Sequence, residues 1–369
     1  MDFTPTPEQE AARDLAARIF GDLSTPERLA GLGGGTDSEL WKELGAAGLA
    51  GAVEETGLLG LVLMLEEQGR TTAQVPFAAS CVYGLLAVAA HGTDEQRERL
   101  LPGLRDGSAV AAGAFPARGG IVVDALPGGR ARLSGAVPWV PWLRDATHVL
   151  VAVRGGPGPG SGPGGGIGKV THSLWMMRTE GAACEPVELT APWSAGRLVL
   201  DGVEAERIGG PEAHADVLAA ARTAFAGLQA GVCAGSLARA VEYTNEREQF
   251  GRPLAAKQGV QLRAAEAHMD IEAIRVTAYE AAWRRDAGLD HESHALTAAW
   301  WASEAGKRVV HTGQHLHGGM GADLEHPVHR HFLWGRQLDG YLGCGAELLE
   351  ELGELIASGA GAGDEGEAA

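Results

Sequence analysis

The chain has 369 residues, enough for two or three packed units, and 45% of them are hydrophobic, so a folded core is expected. A formal net charge of −18 argues against a broad nucleic-acid or anionic-membrane surface, because phosphate binding needs clustered Lys and Arg; it leaves room for a local basic pocket. Cys81, Cys184, Cys233 and Cys344 stand far apart without CxxC spacing and read as reduced thiols of a cytoplasmic protein.

The opening "MDFTPTPEQE" has no basic or apolar leader, so no signal peptide is expected. Residues 1–108 predict an N-terminal helical domain. Thr6 to Gln9 and Thr93 to Gln96 are capping boxes, with Thr placed to cap and Gln to reach back. Leu15, Ile19 and Phe20 give the first helix an apolar stripe, and Ser38–Leu49 starts another amphipathic helix. The apolar run Gly57–Gly69 is too short to span a bilayer and turns acidic at its end.

Residues 109–211 predict a middle, barrel-like β domain. Gly and Pro punctuate short strand candidates at 119–126, 130–135, 147–153, 171–177 and 196–203. The Gly/Pro-rich stretch Arg154–Lys169 reads as a mobile surface loop; it lacks the GK[ST] ending and following helix of a phosphate loop. Residues 212–358 predict long helices at Ala213–Arg247, Pro253–Ala287, Ser293–His317 and Pro327–Ala357, the last interrupted near Gly343, which suits an antiparallel four-helix bundle. Residues 359–369 read as a disordered tail. The expected fold class is α+β, mostly α.

Two long motifs are more specific. "REQFGRPLAAKQGVQ" (Arg247–Gln261) and "ASEAGKRVVHTGQHLHGGMGADLEHPVHR" (Ala302–Arg330) closely resemble the C-terminal signatures of the acyl-CoA dehydrogenase family. "LSGAVPWVPWLRDATHVLVAV" (Leu133–Val153) and "RLVLDGVEAERIGG" resemble its middle-domain segments. The resemblance spans nearly the whole chain. It implies α,β-dehydrogenation of an acyl-CoA thioester: a carboxylate removes the α-proton and the β-hydride passes to FAD. Such a base must be close and desolvated, because the α-C–H is a weak acid. The resemblance also implies an FAD shared across a subunit interface, one subunit's β domain holding the flavin and its neighbour's helices gripping the pyrophosphate and adenosine.

The half given to a neighbour is complete by that resemblance. Arg247 falls at the pyrophosphate, where a guanidinium can bind two oxygens at once. Phe250 and Gln258 fall at the neighbour's flavin, and Gln314, Gly318 and Gly319 at its adenosine side. Read without the family, Arg247 is a helix-end cation, Phe250 a core residue and the Gly pair a helix stop. The half used for the chain's own flavin is depleted. "AGAFPARGGIVV" (Ala112–Val123) lacks the family's Thr and Ser, and Trp139 is followed by Pro141 where the family has a hydrogen-bonding Thr.

The base is missing at both places the family puts it: Leu342, ahead of Gly343-Cys344, and Ala221 on the long helix before Arg247. The family's Arg-Asp ahead of the base reads Leu333-Trp334. Asp339, three residues before Leu342 and on the same helical face, is the alternative base; an exposed helix charge is the plainer reading. Glu347, Glu350 and Glu351 read as a solvated face. His311 and His315 are spaced i, i+4, but no HExxH or nearby Cys accompanies them, so no metal is expected.

Loss of one half-site and retention of the other imply a heteromer in which a homologous catalytic subunit supplies the β domain and the base. The resemblance is to the non-catalytic subunit of actinobacterial α2β2 dehydrogenases that act on steroid side-chain CoA thioesters. Three alternatives stand beside it: a self-sufficient homotetramer with an unusual base, a flavin-dependent monooxygenase of the same fold, and a non-enzymatic scaffold.

Overall fold

A computed structural model describes residues 2–116, 120–155 and 171–359. Most of the Gly/Pro-rich loop, residues 156–170, and the tail from residue 360 lie outside the described residues. In chain order the helices begin with α1 (Pro7–Leu23), α2 (Pro26–Gly31), α3 (Ser38–Ala46) and α4 (Leu49–Thr71). Next, α5 (Phe77–Ala79) runs through a π-helical stretch, Ser80–Leu86, into α6 (Ala87–His91) and then α7 (Asp94–Asp106). Strands β1 (Ala111–Ala114), β2 (Val122–Leu126), β3 (Arg130–Val140), β4 (His148–Arg154), β5 (His172–Arg178), β6 (Ala183–Pro186) and β7 (Gly196–Ile208) follow. The C-terminal part holds α8 (Ala213–Glu246), a short hairpin of β8 (Glu248–Gln249) and β9 (Arg252–Pro253), α9 (Gln258–Asp286), α10 (Glu292–His317), α11 (Pro327–Asp339) and α12 (Gly345–Ala357).

By contact the chain groups into two compact units, Met1–Gly33 with Thr56–Gln74 and Ala219–Ala369, and Gly34–Glu55 with Val75–Leu218. The second unit carries a seven-stranded sheet in the order β1-β4-β5-β7-β3-β2, with β6 also on β7. β1 lies parallel to β4 and the other pairs are antiparallel. The long β7 pairs along one edge with β3 and divides its other edge between β6 at Val199 and β5 at Ile208. Leu133, Val149, Val151, Trp175 and Leu198 fill the core on this sheet. Four of the five predicted strands are β2, β4, β5 and β7, and the fifth is the first half of β3. β1, "AAGA", and β6, "ACEP", went unread because they lack the β-branched residues that mark strands.

The first unit is the helical one. Both capping boxes form, Gln9 N–H to Thr6 Oγ1 at 3.3 Å here and Gln96 N–H to Thr93 Oγ1 at 3.3 Å in the second unit. The stripe of α1 is Ala12, Ala16, Ile19 and Phe20, whereas Leu15 is only half-buried. The long α8 is apolar enough to cross a membrane, yet its apolar window is 89% buried within the fold, as in a core helix. It can pack this deeply because small residues let backbones touch: a Cβ on Gly231 would run into the Glu66 carbonyl, and one on Gly69 into that of Leu228. Glu66 is itself buried, accepting from Arg275 Nε at 2.9 Å and Tyr279 Oη at 2.5 Å, and burial raises its carboxyl against the lowering pull of those partners. At Gly57, φ is +71° and α4 kinks; Asp286 accepts the freed N–H groups of Leu58 and Leu59 at 2.8 and 2.9 Å.

His331 on α11 is buried, with Nε2 3.0 Å from the Arg70 carbonyl. Burial lowers its imidazole to about 4, and Arg239 and Arg330 push the same way. A depressed histidine stabilises the fold above the unfolded value of about 6.5, and that contribution drains away as pH falls from there towards 4. The unfolding free energy, measured by denaturant titration at pH 7 and pH 4.5, is therefore expected to fall with acid by up to about 3 kcal/mol from this group. The His331→Gln protein should show a shallower drop; an identical drop would assign the acid sensitivity elsewhere.

Candidate functional site

Arg247 follows the last turn of α8, its N–H bonded to the Tyr243 carbonyl at 2.8 Å. The chain then reverses in the β8–β9 hairpin, Glu248 opposite Pro253 and Gln249 opposite Arg252. The two residues between them, Phe250 and Gly251, have φ of +61° and +75°. Two positive φ values are what a tight two-residue hairpin demands; glycine adopts them freely, and phenylalanine does so at a cost of order 1 kcal/mol. Phe250 is also 91% exposed. Its reading as a plain core residue is therefore wrong. Arg247 is exposed as well, and its guanidinium has no hydrogen-bond or ion-pair partner among the described residues. Gln258, the first residue of α9, is exposed beside this loop.

The end of α10 lies alongside. Tyr243 stacks on His317 with ring centroids 4.9 Å apart, which ties the Arg247 end of α8 to the Gly318 end of α10. Gly318 turns at φ +64° and, with Gly319, is exposed. Gln314 donates to the Gly321 carbonyl at 3.1 Å, so its amide N–H braces this turn from within and its carbonyl oxygen is the atom left to accept. Met320 and Leu324 continue the apolar surface, 51% and 79% exposed. The six residues expected at a neighbour's cofactor thus sit at three helix termini: Arg247 and Phe250 after α8, Gln258 at the start of α9, and Gln314, Gly318 and Gly319 at the end of α10. The left-handed Phe250 could have been foreseen from the "QFGR" turn; the brace by Gln314 could not.

The two positions where the family resemblance expects a base are closed. Ala221 is fully buried and Leu342 is 6% exposed. Arg222, Phe225, Gln229, Tyr341 and Leu342 help line a cavity of about 20 Å³, room for about one water. Substrate pockets run to hundreds of Å³. Tyr341 packs edge-on against Phe225 at 4.8 Å and supplies much of the filling. Asp339 does not share a helical face with Leu342, because α11 ends at Asp339. Its two oxygens are engaged, accepting from Ser303 Oγ at 2.6 Å and Arg336 Nη1 at 2.8 Å. Glu351 is not part of a merely solvated face: it takes both terminal nitrogens of the buried Arg222 at 2.8 and 2.6 Å. Glu347 instead caps α12, accepting from Cys344 N–H at 3.0 Å.

In the β unit the described residues of the segment compared above with the family's flavin-wrapping loop turn inward. Phe115 is buried and stacks between Tyr83 at 5.0 Å and His214 at 5.7 Å, and residues 117–119 lie outside the described residues. Trp139 is half-buried near the end of β3, and Pro141 is buried, with no N–H to offer. Trp142 follows at φ +62°, stacked on Trp193 at 5.7 Å. His311 and His315 face a cleft of about 830 Å³ between α9 and α10, in the company of Arg263 and Arg308. Among the described residues no group of three or more His, Cys, Asp or Glu is placed to hold a metal.

The Arg222–Glu351 pair yields a test. Glu351→Ala strands a buried guanidinium and should cost about 1–3 kcal/mol, less than a fully buried pair because the Glu351 side chain is 44% exposed. Arg222→Met with Glu351→Leu should cost less than Glu351→Ala alone in thermal unfolding. Equal losses would mean that the charge is not what matters there.

Comparison with known proteins fits this geometry. Residues 6–108 match the family model "Acyl-CoA dehydrogenase, N-terminal domain" and residues 209–354 "Acyl-CoA dehydrogenase, C-terminal domain". The acyl-CoA dehydrogenase FadE27 of Mycobacterium tuberculosis is 32% identical over 97% of this chain and 99% of its own. The structure described as the Tcur3481-Tcur3483 steroid ACAD, G363A variant, is 40% identical with a TM-score of 0.87, covering 96% of this chain and 98% of its own. The ChsE4-ChsE5 complex from Mycobacterium tuberculosis is 29% identical with a TM-score of 0.86, covering 97% and 99%. The chain belongs to the acyl-CoA dehydrogenase family.

Proposed function

We propose that this chain is the subunit without a catalytic base in a heteromeric, FAD-dependent acyl-CoA dehydrogenase, and that it completes the flavin site of a homologous partner. The observation that carries this is Phe250: a bulky ring held in a left-handed turn and left in solvent is a double cost that folding alone does not repay. Beside it, Arg247 has no ion-pair partner among the described residues of a chain of net charge −18, where carboxylates are plentiful. Its fork suits a pyrophosphate. Gln258 and the Gly318-Gly319 turn complete a surface on which a dinucleotide could lie. FAD, when bound, accepts the substrate's hydride; this chain's residues bind and orient it, while the partner supplies the flavin-receiving β segment and the base. The filled cavity at Leu342 supports assigning acyl-CoA to the partner.

Function then divides by segment: residues 109–211 as a β domain that has given up its flavin, and 212–358 as the helical domain that serves the partner's. The arrangement is an α2β2 tetramer working in the cytoplasm. A steroid side-chain CoA thioester is the substrate we favour, because a neighbour 40% identical is described as a steroid ACAD.

Paired variants separate the two half-sites. In the complex co-purified with its partner, Arg247→Ala should weaken FAD binding tenfold or more, and Trp139→Leu in the chain's own β segment should leave it unchanged. The reverse pattern would mean that the chain holds its own flavin. The intact complex should turn over a steroid side-chain CoA faster than butyryl-CoA; a preference for the short acyl chain would sink the substrate assignment.

A further inference from the structure

We infer that Lys257 is a further residue of the flavin-binding face, a positioning residue that fixes the Phe250 ring and adds a second cation next to Arg247. This rests on the proposed role of that face. The loop from Arg247 to Lys257 is closed by its own backbone: Leu254 N–H donates to the Arg247 carbonyl at 2.9 Å, and Lys257 N–H to the Leu254 carbonyl at 3.0 Å. That closure returns the chain to the Phe250 hairpin ten residues after Arg247. Lys257 Nζ stands 4.6 Å from the centroid of the Phe250 ring. The contact is a cation over an aromatic face, and it leaves the opposite face of the ring open.

Two features give the contact a purpose beyond local packing. An exposed ring on a hairpin tip is free to rotate, and ordering it at the moment of binding costs affinity; a cation already seated on one face removes part of that cost. Lys257 also makes no ion pair among the described residues, although acidic groups outnumber basic ones 48 to 30. Arg247 and Lys257 therefore present two uncompensated positive charges on one short loop. An anionic dinucleotide is the ligand class that uses both a flat apolar surface and paired cations. Lys257 acts through Phe250 and through its field, so its effect is on affinity and salt dependence.

The test is FAD titration, followed by flavin fluorescence, of the deflavinated complex containing the partner subunit. Arg247→Met, Lys257→Met and Lys257→Arg are compared with the unmodified complex at several salt concentrations. Lys257→Met is expected to weaken FAD binding about two- to fivefold and to flatten its salt dependence, as suits a partly exposed cation–π contact. Lys257→Arg should restore both. If Lys257→Met binds FAD like the unmodified complex while Arg247→Met does not, the inference fails and the face stands. If Lys257→Arg fails as badly as Lys257→Met, the lysine only shapes the loop, and the inference is overturned. If Arg247→Met has no effect either, the face itself is wrongly assigned and the inference falls with it.

Discussion

Close packing along α8 is the constraint from which the rest of the helical unit follows. Gly231 lets it meet α4 at backbone distance, and Gly306 and Gly313 on α10 leave room for Gln229 and Ser236. Helices drawn this tightly leave little interior space, so Phe225 and Tyr341 suffice to close the cavity beside Leu342. The same closeness sets the ends of α8 and α10 side by side through Tyr243 and His317. A filled interior and a well-ordered outer face are thus two results of one packing choice.

That choice separates two kinds of loss. In the β unit the segments where the family resemblance expects flavin contacts carry packing instead: Phe115 joins a ring stack with Tyr83 and His214, and Pro141 leads into the stacked Trp142. Near Leu342, where the same resemblance expects a carboxylate, the side chain is apolar and buried. The hairpin at Phe250 shows neither change. It keeps a strained backbone, an exposed ring and two cations without an ion-pair partner among the described residues, features that stability alone would remove. Decay of an unused enzyme would not spare only the residues that face outward.

Much of this was legible in the sequence, for physical reasons. α8 is a long run of small apolar residues without turn signals, α10 carries helical periodicity, glycines mark the break near Gly343, and the capping boxes have fixed spacing. β1 and β6 lacked propensity signals and exist only because neighbouring strands give them partners. Asp339 was misplaced because nothing local announces that α11 stops there; Gly340 only permits it. Tyr341 as a plug and Glu351 as the partner of Arg222 depend on residues more than a hundred positions away, and no local pattern encodes such pairs.

The central claim is that the flavin belongs to two chains at once. The most direct measurement is the FAD-to-protein ratio, with the visible spectrum, of this chain purified alone and purified with a partner dehydrogenase. A colourless chain that becomes part of a yellow complex, with fewer FAD than chains, is the expected result. One FAD per chain on this protein alone would contradict it.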